Sequence, residues 1–282
     1  MSIEIRLLKE SEVSEADGVL RSAFARTLSF EPVLRLHLEI EPDGFWVATD
    51  HGKILGTVGC VNYGQCAYIG MMSVDPSAQS RGLGRRLMNH LLNWLALRGD
   101  PVALLDATDR GALLYKQLGF VDDSTAYVYE RASSAPLSAA RHLHSLAGDN
   151  DLAAIIRFDA PLFGADRTKL LERVWTKNRQ RCLIARNSSG KLDGYLFAGE
   201  PILGPWAAVN VNVALELLTA ATQLPFKHAP VVLVPRSNHL ALELLERCGF
   251  VQRRTLRHMR RGGSSPPGQP LRLFGQSSFA HG

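Results

Sequence analysis

Between Met71 and Leu95 the chain changes period: a strand-like run stops at Asp75-Pro76, a turn of small residues follows, and a helix begins in which leucine returns every fourth residue. Leu83, Leu87, Leu91 and Leu95, widened by Met88 and Leu92, make an apolar stripe that must be buried against another element. The turn itself reads Gln79-Ser80-Arg81-Gly82-Leu83-Gly84-Arg85-Arg86. At a helix start the first backbone N–H groups lack intrahelical partners and the positive end of the dipole collects, so such a turn suits a phosphate or diphosphate. Gly82 and Gly84 keep side chains from standing between backbone and anion. Arg81, Arg85 and Arg86 add charge and forked donors. Taken alone, Gln-x-x-Gly-x-Gly fits an ordinary strand–helix turn equally well.

The flanking segments supply a mixed α/β (α+β) unit around this turn. Val13 to His37 look helical, broken by Pro32. Phe45 to Ala48, Ile54 to Val61 and Ala67 to Val74 read as strands, and the turns Asp50-His51-Gly52-Lys53 and Tyr63-Gly64-Gln65 join them as an antiparallel meander. After Gly99-Asp100-Pro101 come a short strand, Val102 to Leu105, a helix from Gly111 to Gln117, and a strand running from Gly119-Phe120 through Tyr129. The small, proline-interrupted stretch Ala132-Ser133-Ser134-Ala135-Pro136 suits a linker. Beyond it, the run from Asn238 to Phe250 echoes Gly111 to Phe120: aligning Gly249 with Gly119 sets Leu245 on Tyr115 and Leu244 on Leu114, a domain-sized internal repeat. The expected division is a first domain over 1–131, a linker over 132–148 and a second domain over 149–282, each a mostly antiparallel twisted sheet flanked by helices. A last strand is expected over Leu271 to Phe274.

Composition limits the function classes. With 46% hydrophobic and 21% charged residues, the chain has the balance of a globular protein with a substantial core. No apolar run nears the roughly 18 residues of a membrane helix, and the first residues lack the apolar core of a secretory signal, so no membrane partner and a cytoplasmic location are expected. Cys60, Cys66, Cys182 and Cys248 are too scattered for a structural zinc site, and His142-x-His144 lacks a third ligand, so no metal is expected. The formal charge is +5. Arg253, Arg254, Arg257, Arg260 and Arg261 crowd one stretch, but without interleaved aromatics or a nucleic-acid motif they read as a solvated strand face, and no nucleic-acid partner is expected.

Gln79-x-x-Gly82-x-Gly84 after a strand, with Leu114-Tyr115-x-x-x-Gly119-Phe120 some thirty residues later, resembles the GCN5-related N-acetyltransferase (GNAT) superfamily. The run from Leu105-Asp106-Ala107-Thr108 through Gly111 to Tyr115, with Phe163-Gly164-Ala165-Asp166-Arg167, Gly204-Pro205-Trp206 and Gly249-Phe250, further resembles a tandem-GNAT subgroup carrying a YitH-type C-terminal acetyltransferase-like domain. The resemblance implies an enzyme that moves an acetyl group from acetyl-CoA to an amine, on a small molecule or a peptide. It implies that backbone amides of Gln79, Ser80, Arg81, Gly82, Leu83, Gly84 and Arg85 hold the diphosphate. The strand at Met72, Ser73 and Val74 would pair with the pantetheine arm and offer an N–H to a developing oxyanion. Tyr115 would face the thioester sulfur.

The proton chemistry is open at two points. A phenol of pKa ~10 giving its proton to a thiolate of pKa ~8.5 works uphill by about 2 kcal/mol, so Tyr115 serves better as a hydrogen-bond donor than as a full acid; packing a helix onto the sheet is its other reading. An alkylamine of pKa ~10.4 is neutral only to about one part in a thousand at pH 7, so a group must take its proton. Many GNAT enzymes have a glutamate on the strand before the glycine turn; here Tyr68 stands there. Asp106 is the nearest carboxylate, either catalytic or capping the next turn. A water relay or a less basic acceptor would also serve. The missing glutamate leaves a non-catalytic acyl-CoA sensor or scaffold as the alternative, while the absence of Gly-Lys-[Ser/Thr] after the turn excludes a nucleotide phosphotransferase. In the second half Gly204-Pro205-Trp206-Ala207-Ala208 replaces the glycine turn and Leu245 replaces the tyrosine, so that half is expected to bind no cofactor. Trp46, Phe24 and Phe30 are candidates for an acceptor pocket or for core.

Overall fold

The computed structural model describes residues 3–99, 101–132, 137, 144–235, 238–263 and 268–282. Its first half runs β1 (Ile3–Leu7), α1 (Val13–Phe24), α2 (Glu31–Ile40), β2 (Phe45–Asp50), β3 (Lys53–Asn62), β4 (Cys66–Val74), α3 (Leu83–Ala96), β5 (Val102–Ala107), α4 (Asp109–Gln117) and β6 (Val121–Arg131). The helical stretch expected from Val13 to His37 with a break at Pro32 is two helices, but the break falls earlier, over residues 25–30. Pro32 sits in the first turn of α2, where its missing N–H costs nothing, so it opens a helix instead of breaking one. The helix expected from Gly111 begins two residues earlier because Thr108 caps it.

The second half runs β7 (His144–Leu146), α5 (Leu152–Phe163), α6 (Thr168–Asn178), β8 (Cys182–Arg186), β9 (Leu192–Ala198), β10 (Leu203–Ala208), α7 (Val211–Ala221), β11 (Val231–Val234), α8 (His239–Arg247), β12 (Phe250–Arg261) and β13 (Leu273–Gly275). The last strand starts two residues later than expected, because Pro270–Arg272 form a 3-10 turn. β7 falls within 132–148, the stretch read as linker, and pairs antiparallel with β8. His142 lies outside the described residues.

The chain divides into two compact units. The first comprises Met1–Val121, Met259–Ser265 and His281; the second comprises Asp122–His258, Pro266–Ala280 and Gly282. In the first, β1 to β4 form an antiparallel meander and β5 joins β4 in parallel. The last residues of β12 close that sheet beside β5. α3 and α4 cover one face: Leu87, Met88, Leu91 and Leu95 pack with Ala67, Ile69, Ala103, Leu105, Ala107 and Tyr115. Trp46 belongs to this core, whereas Phe24 is 39% exposed. The other face lies under α1 and α2, where His37 meets Phe45 edge-on.

In the second unit β13, β10, β9, β8 and β7 form a five-stranded sheet, and β11 pairs with β6, itself beside β12. α7 and α8 bury Leu217, Leu218, Leu244 and Leu245 against Leu196, Leu203 and Trp206. Beneath α5, Asp159 accepts from Arg167 Nε at 3.0 Å and Nη2 at 2.7 Å, and from the Tyr195 hydroxyl, all three being buried. That network accounts for the Phe163 to Arg167 motif: Gly164, at φ 92°, ends α5, and Arg167 turns inward to its partner. On β12, Arg253 and Arg257 pair with Glu130 and Asp122 of β6, in keeping with a solvated strand face.

Candidate active site

β4 and β5 pair only from Cys66↔Val102 to Ile69↔Leu105, and past that point the two strands part. The cause lies in β4. Against β3, Gly70 faces Gly59 but Ser73 faces Thr57, so Met71 and Met72 together oppose Val58 alone, a β-bulge. Met71 carries it at φ 50°, an uncommon conformation for a side chain of its size. Thr57 supports the bulge, its hydroxyl donating to the Met71 carbonyl at 2.6 Å and lying 2.8 Å from Ser73 Oγ. The bulge also reverses the alternation. Ala67 and Ile69 face α3 before it, Met72 and Val74 after it. Asp75 N–H donates to Leu55 on the β3 side, so by alternation the N–H and C=O of Met72 and Val74 point into the gap. Ser73, by the same alternation, turns its backbone toward β3.

The gap opens onto the start of α3. Asp75 accepts from Ser77 N–H at 2.9 Å and from its hydroxyl, which lowers the Asp75 pKa and folds Pro76–Ala78 into a 3-10 turn. Ser80 (φ 62°) and Gly82 (φ 75°) then bring the chain round with left-handed residues. Gly82 is the N-cap of α3 and contributes no side chain, so the N–H groups of the first turn meet no capping side chain. A Cβ on Gly82 would stand in open space, whereas one on Gly84 would lie 2.6 Å from Met72 Cε and 3.3 Å from Leu114 Cδ2. The two glycines therefore do different work. Gly82 serves conformation and leaves the helix start uncovered, while Gly84 lets α3 sit close on β4 and α4, a packing role that the repeat of glycines does not reveal. Leu83 buries its side chain in the core and offers only its amide. Of the flanking cations, Arg85 donates to Gln117 and Arg86 to the Ile3 carbonyl at 3.0 Å. Gln79 braces the turn, donating to the Val74 carbonyl at 3.1 Å and accepting from Arg110 at 2.6 Å. Arg110, two residues past Thr108 in the first turn of α4, escapes sequence reasoning because it enters no motif.

Tyr115 lies on α4, in the core that also holds Leu105 and Ala107. Its ring leans back over Gly111, one turn earlier, where an added Cβ would come within 3.2 Å of Cε2. Phe120 flanks it at 5.9 Å between centroids. Burial pushes the phenol up to about 12, so the hydroxyl keeps its proton at any physiological pH.

Asp106 does not cap the next turn. Thr108 does, its hydroxyl accepting from Gly111 N–H at 3.2 Å. The Asp106 carboxylate instead accepts from the Tyr68 hydroxyl at 2.5 Å. On β5, Ala103, Leu105 and Ala107 share the face of Tyr115, so Leu104 and Asp106 point to the opposite face. The strand gap is thus flanked by a phenol on one face of the sheet and a carboxylate on the other.

The corresponding place in the second unit is closed. β10 leads into α7 as β4 leads into α3, but Asn210 caps α7 and accepts from the N–H groups of Asn212 and Val213, both at 3.0 Å. β13 pairs along β10 at Trp206↔Gly275 and Ala207↔Leu273, and Gln276 N–H donates to Leu233 of β11 at 2.8 Å. The approach is a backbone one: a Cβ on Gly204 would lie 2.1 Å from the Gln276 carbonyl oxygen. Leu245 is fully buried.

A parallel strand pair that parts beside an uncapped helix start is the frame of an acyltransferase of the GNAT class, and this chain belongs to that family: residues 15–120 match the acetyltransferase (GNAT) family, and residues 155–275 match an acetyltransferase (GNAT) domain, two domains in tandem. It is 30% identical over 173 residues to the uncharacterized N-acetyltransferase YitH of Bacillus subtilis, a match spanning 60% of this chain and 60% of that protein. A mycothiol acetyltransferase of Acidothermus cellulolyticus is 32% identical over 114 residues, covering 34% of this chain and 35% of its own. Among solved structures, a chain from Pyrococcus horikoshii superposes with a TM-score of 0.86 at 24% identity, over 100% of this chain and 96% of that one. A GCN5-related N-acetyltransferase from Sphaerobacter thermophilus gives 0.71 at 15%, over 94% and 98%. These superpositions establish the fold. No helix among the described residues is long and apolar enough to cross a membrane, and no cluster of three metal-ligating side chains occurs among them.

Proposed function

We propose that the first unit takes an acyl-coenzyme A, with acetyl-CoA as the donor, and transfers its acyl group to an amine of a small molecule or peptide. The observation that carries the proposal is the gap between β4 and β5, opening directly onto the α3 N-terminus that no side chain caps. The residues fit such a donor. Backbone amides from Gln79 to Arg85, with Gly82 leaving open space, suit a diphosphate. The outward amide and carbonyl of Met72 and the outward amide of Val74 suit an extended arm that carries amides of its own, as one more strand. Bound there, the donor would supply an activated acyl thioester.

The side chains then have separate tasks. A backbone N–H of the Met72 to Val74 segment offers a hydrogen bond where negative charge builds on the acyl oxygen. Tyr115 offers one to the departing sulfur. With its phenol at about 12 and a free thiol near 8.5, full proton transfer would be uphill by roughly 5 kcal/mol, so Tyr115 donates a hydrogen bond and keeps its proton. The names of the relatives, N-acetyltransferase and mycothiol acetyltransferase, point to the same reaction class.

Gly82→Glu tests the site. A Cβ at this position meets no atom within 4 Å, and a carboxylate introduced beside the proposed diphosphate repels it. Calorimetric affinity for acetyl-CoA should fall at least a hundredfold, beyond the roughly 1–2 kcal/mol of strain in a left-handed non-glycine residue. Unchanged affinity would refute the site. Acceptor-dependent thiol release separates an enzyme from a sensor that only binds.

A further inference from the structure

Tyr68 and Asp106 meet across the mouth of the gap between β4 and β5. Tyr68, on β4, is 2% exposed and its hydroxyl donates to Asp106 Oδ2 at 2.5 Å. Tyr68 pairs with Leu104, so Asp106 stands two residues further along β5, on the same face and just past Ile69↔Leu105, the last pair before the strands part. The bond therefore crosses from one strand to the other at the point where the gap opens. A hydroxyl donating to a carboxylate makes a strong, charge-assisted bond, which fixes the rotation of the carboxylate. Tyr115 belongs to the core on the other face of the sheet. A group that collects a proton and a group that steadies a leaving sulfur thus stand on opposite faces of the same gap.

We propose that Tyr68 and Asp106 form the acceptor-side proton site of this unit: Asp106 receives an alkylammonium acceptor and takes its proton, and Tyr68 positions Asp106. The proposal rests on the acyl-CoA reading of the gap. It assigns the acceptor to the primary alkylamines, which arrive as cations at neutral pH, and disfavours acceptors whose attacking group lies beside a carboxylate or phosphate. The balance is simple. The bound alkylammonium first gives one proton to solvent, which frees the nitrogen lone pair; as that pair forms the bond to the acyl carbon, a second N–H proton, now far more acidic, passes to the Asp106 carboxylate. The carbon–sulfur bond breaks with its electron pair on sulfur, and the Asp106 carboxyl later returns its proton to solvent. Asp106 is the catalytic residue in this scheme and Tyr68 a positioning residue.

Two amines of similar shape test it: benzylamine, a cation at neutral pH, and aniline, neutral there and needing little help to shed its proton after attack. Thiol release from acetyl-CoA is followed for the full-length protein and for Asp106→Asn, Asp106→Glu and Tyr68→Phe. Acetyl-CoA affinity, read by calorimetry, should be the same in all four. Asp106→Asn should lower kcat with benzylamine by roughly a hundredfold or more, the usual reach of a general base, and lower it far less with aniline. Asp106→Glu should restore part of the benzylamine rate. Tyr68→Phe keeps the buried ring and should cost about tenfold with benzylamine, the worth of one hydrogen bond. Equal losses with both amines, or full benzylamine activity in Asp106→Asn, would overturn the proposal. Acetyl-CoA bound by the wild type with no thiol released to either amine would also overturn it while leaving the donor site intact. Failure of the wild type to bind acetyl-CoA would instead overturn the reading beneath it.

Discussion

At the residue scale the proposed chemistry depends on Tyr115 keeping its proton, and burial raises its phenol to about 12. With a phenol near 12, the folded protein holds the proton where the unfolded chain, near 10, loses it. The raised value adds stability that is complete below pH 10 and is lost as pH rises from 10 through 12, worth about 3 kcal/mol at most. Turnover should accordingly show no alkaline fall from this group below pH 10. Tyr115→Phe should lower kcat by roughly ten- to a hundredfold while leaving acetyl-CoA affinity within twofold, since a hydrogen bond to developing charge is spent on the transition state. Equal losses in both would mark the residue as packing only. Gly111→Ala is a subtler probe: its methyl would press on the Tyr115 ring at 3.2 Å and turn the hydroxyl aside, so kcat should fall while the melting temperature changes little. Sequence pattern singled out Tyr115, Asp106 and the glycine turn, because each belongs to a spaced motif. It could not link Tyr68 to Asp106, partners 38 residues apart in sequence that meet only through the parallel register of β4 and β5. It also left capping open for Asp106, a place that Thr108, two residues on, takes.

At the scale of elements, the two units differ at their corresponding helix starts, and the proposed anion site rests on that difference. α3 begins at a left-handed glycine with no side chain to occupy its amides, and α7 begins at an asparagine that occupies two of its own. The contrast is visible in sequence as Gly82 against Asn210, but the length of β10 and the placement of its turn obscured the equivalence until the strands were in register. Asn210→Ala should destabilise the protein by about 1 kcal/mol, the cost of an N-cap, measurable by urea denaturation, with acetyl-CoA affinity unchanged. A fall in affinity would mean that α7 also contacts the donor. The meander of β2 to β4 and the leucine-striped α3 were legible from period alone. The bulge at Met71 was not, because Gly-Met-Met-Ser continues an apolar run without a proline or a turn signal, and only the register against β3 exposes the extra residue. Pro32 misled for a related reason: a proline ends helices or begins them, and the loop before it, which carries Ala25 at φ 50°, has no glycine to announce itself.

At the scale of the whole molecule, the two units share a family and differ in what fills the corresponding gap. In the first, β5 leaves β4 after Ile69 and nothing among the described strands takes its place beside Met72 and Val74. In the second, β13 lies along β10, joins β11 through Gln276, and stacks Phe274 on Trp206 at 5.2 Å between centroids. An extended ligand arm would have to displace that strand, bury nothing new in exchange, and then find its diphosphate amides already bonded to Asn210. The repeat in sequence therefore does not imply a repeat in binding. Calorimetry should give one equivalent of acetyl-CoA per chain, and Gly82→Glu should abolish that single event without uncovering a weaker second one. Two equivalents in the wild type, or one equivalent persisting in Gly82→Glu, would mean that β13 yields to the ligand and that the second unit is a working site.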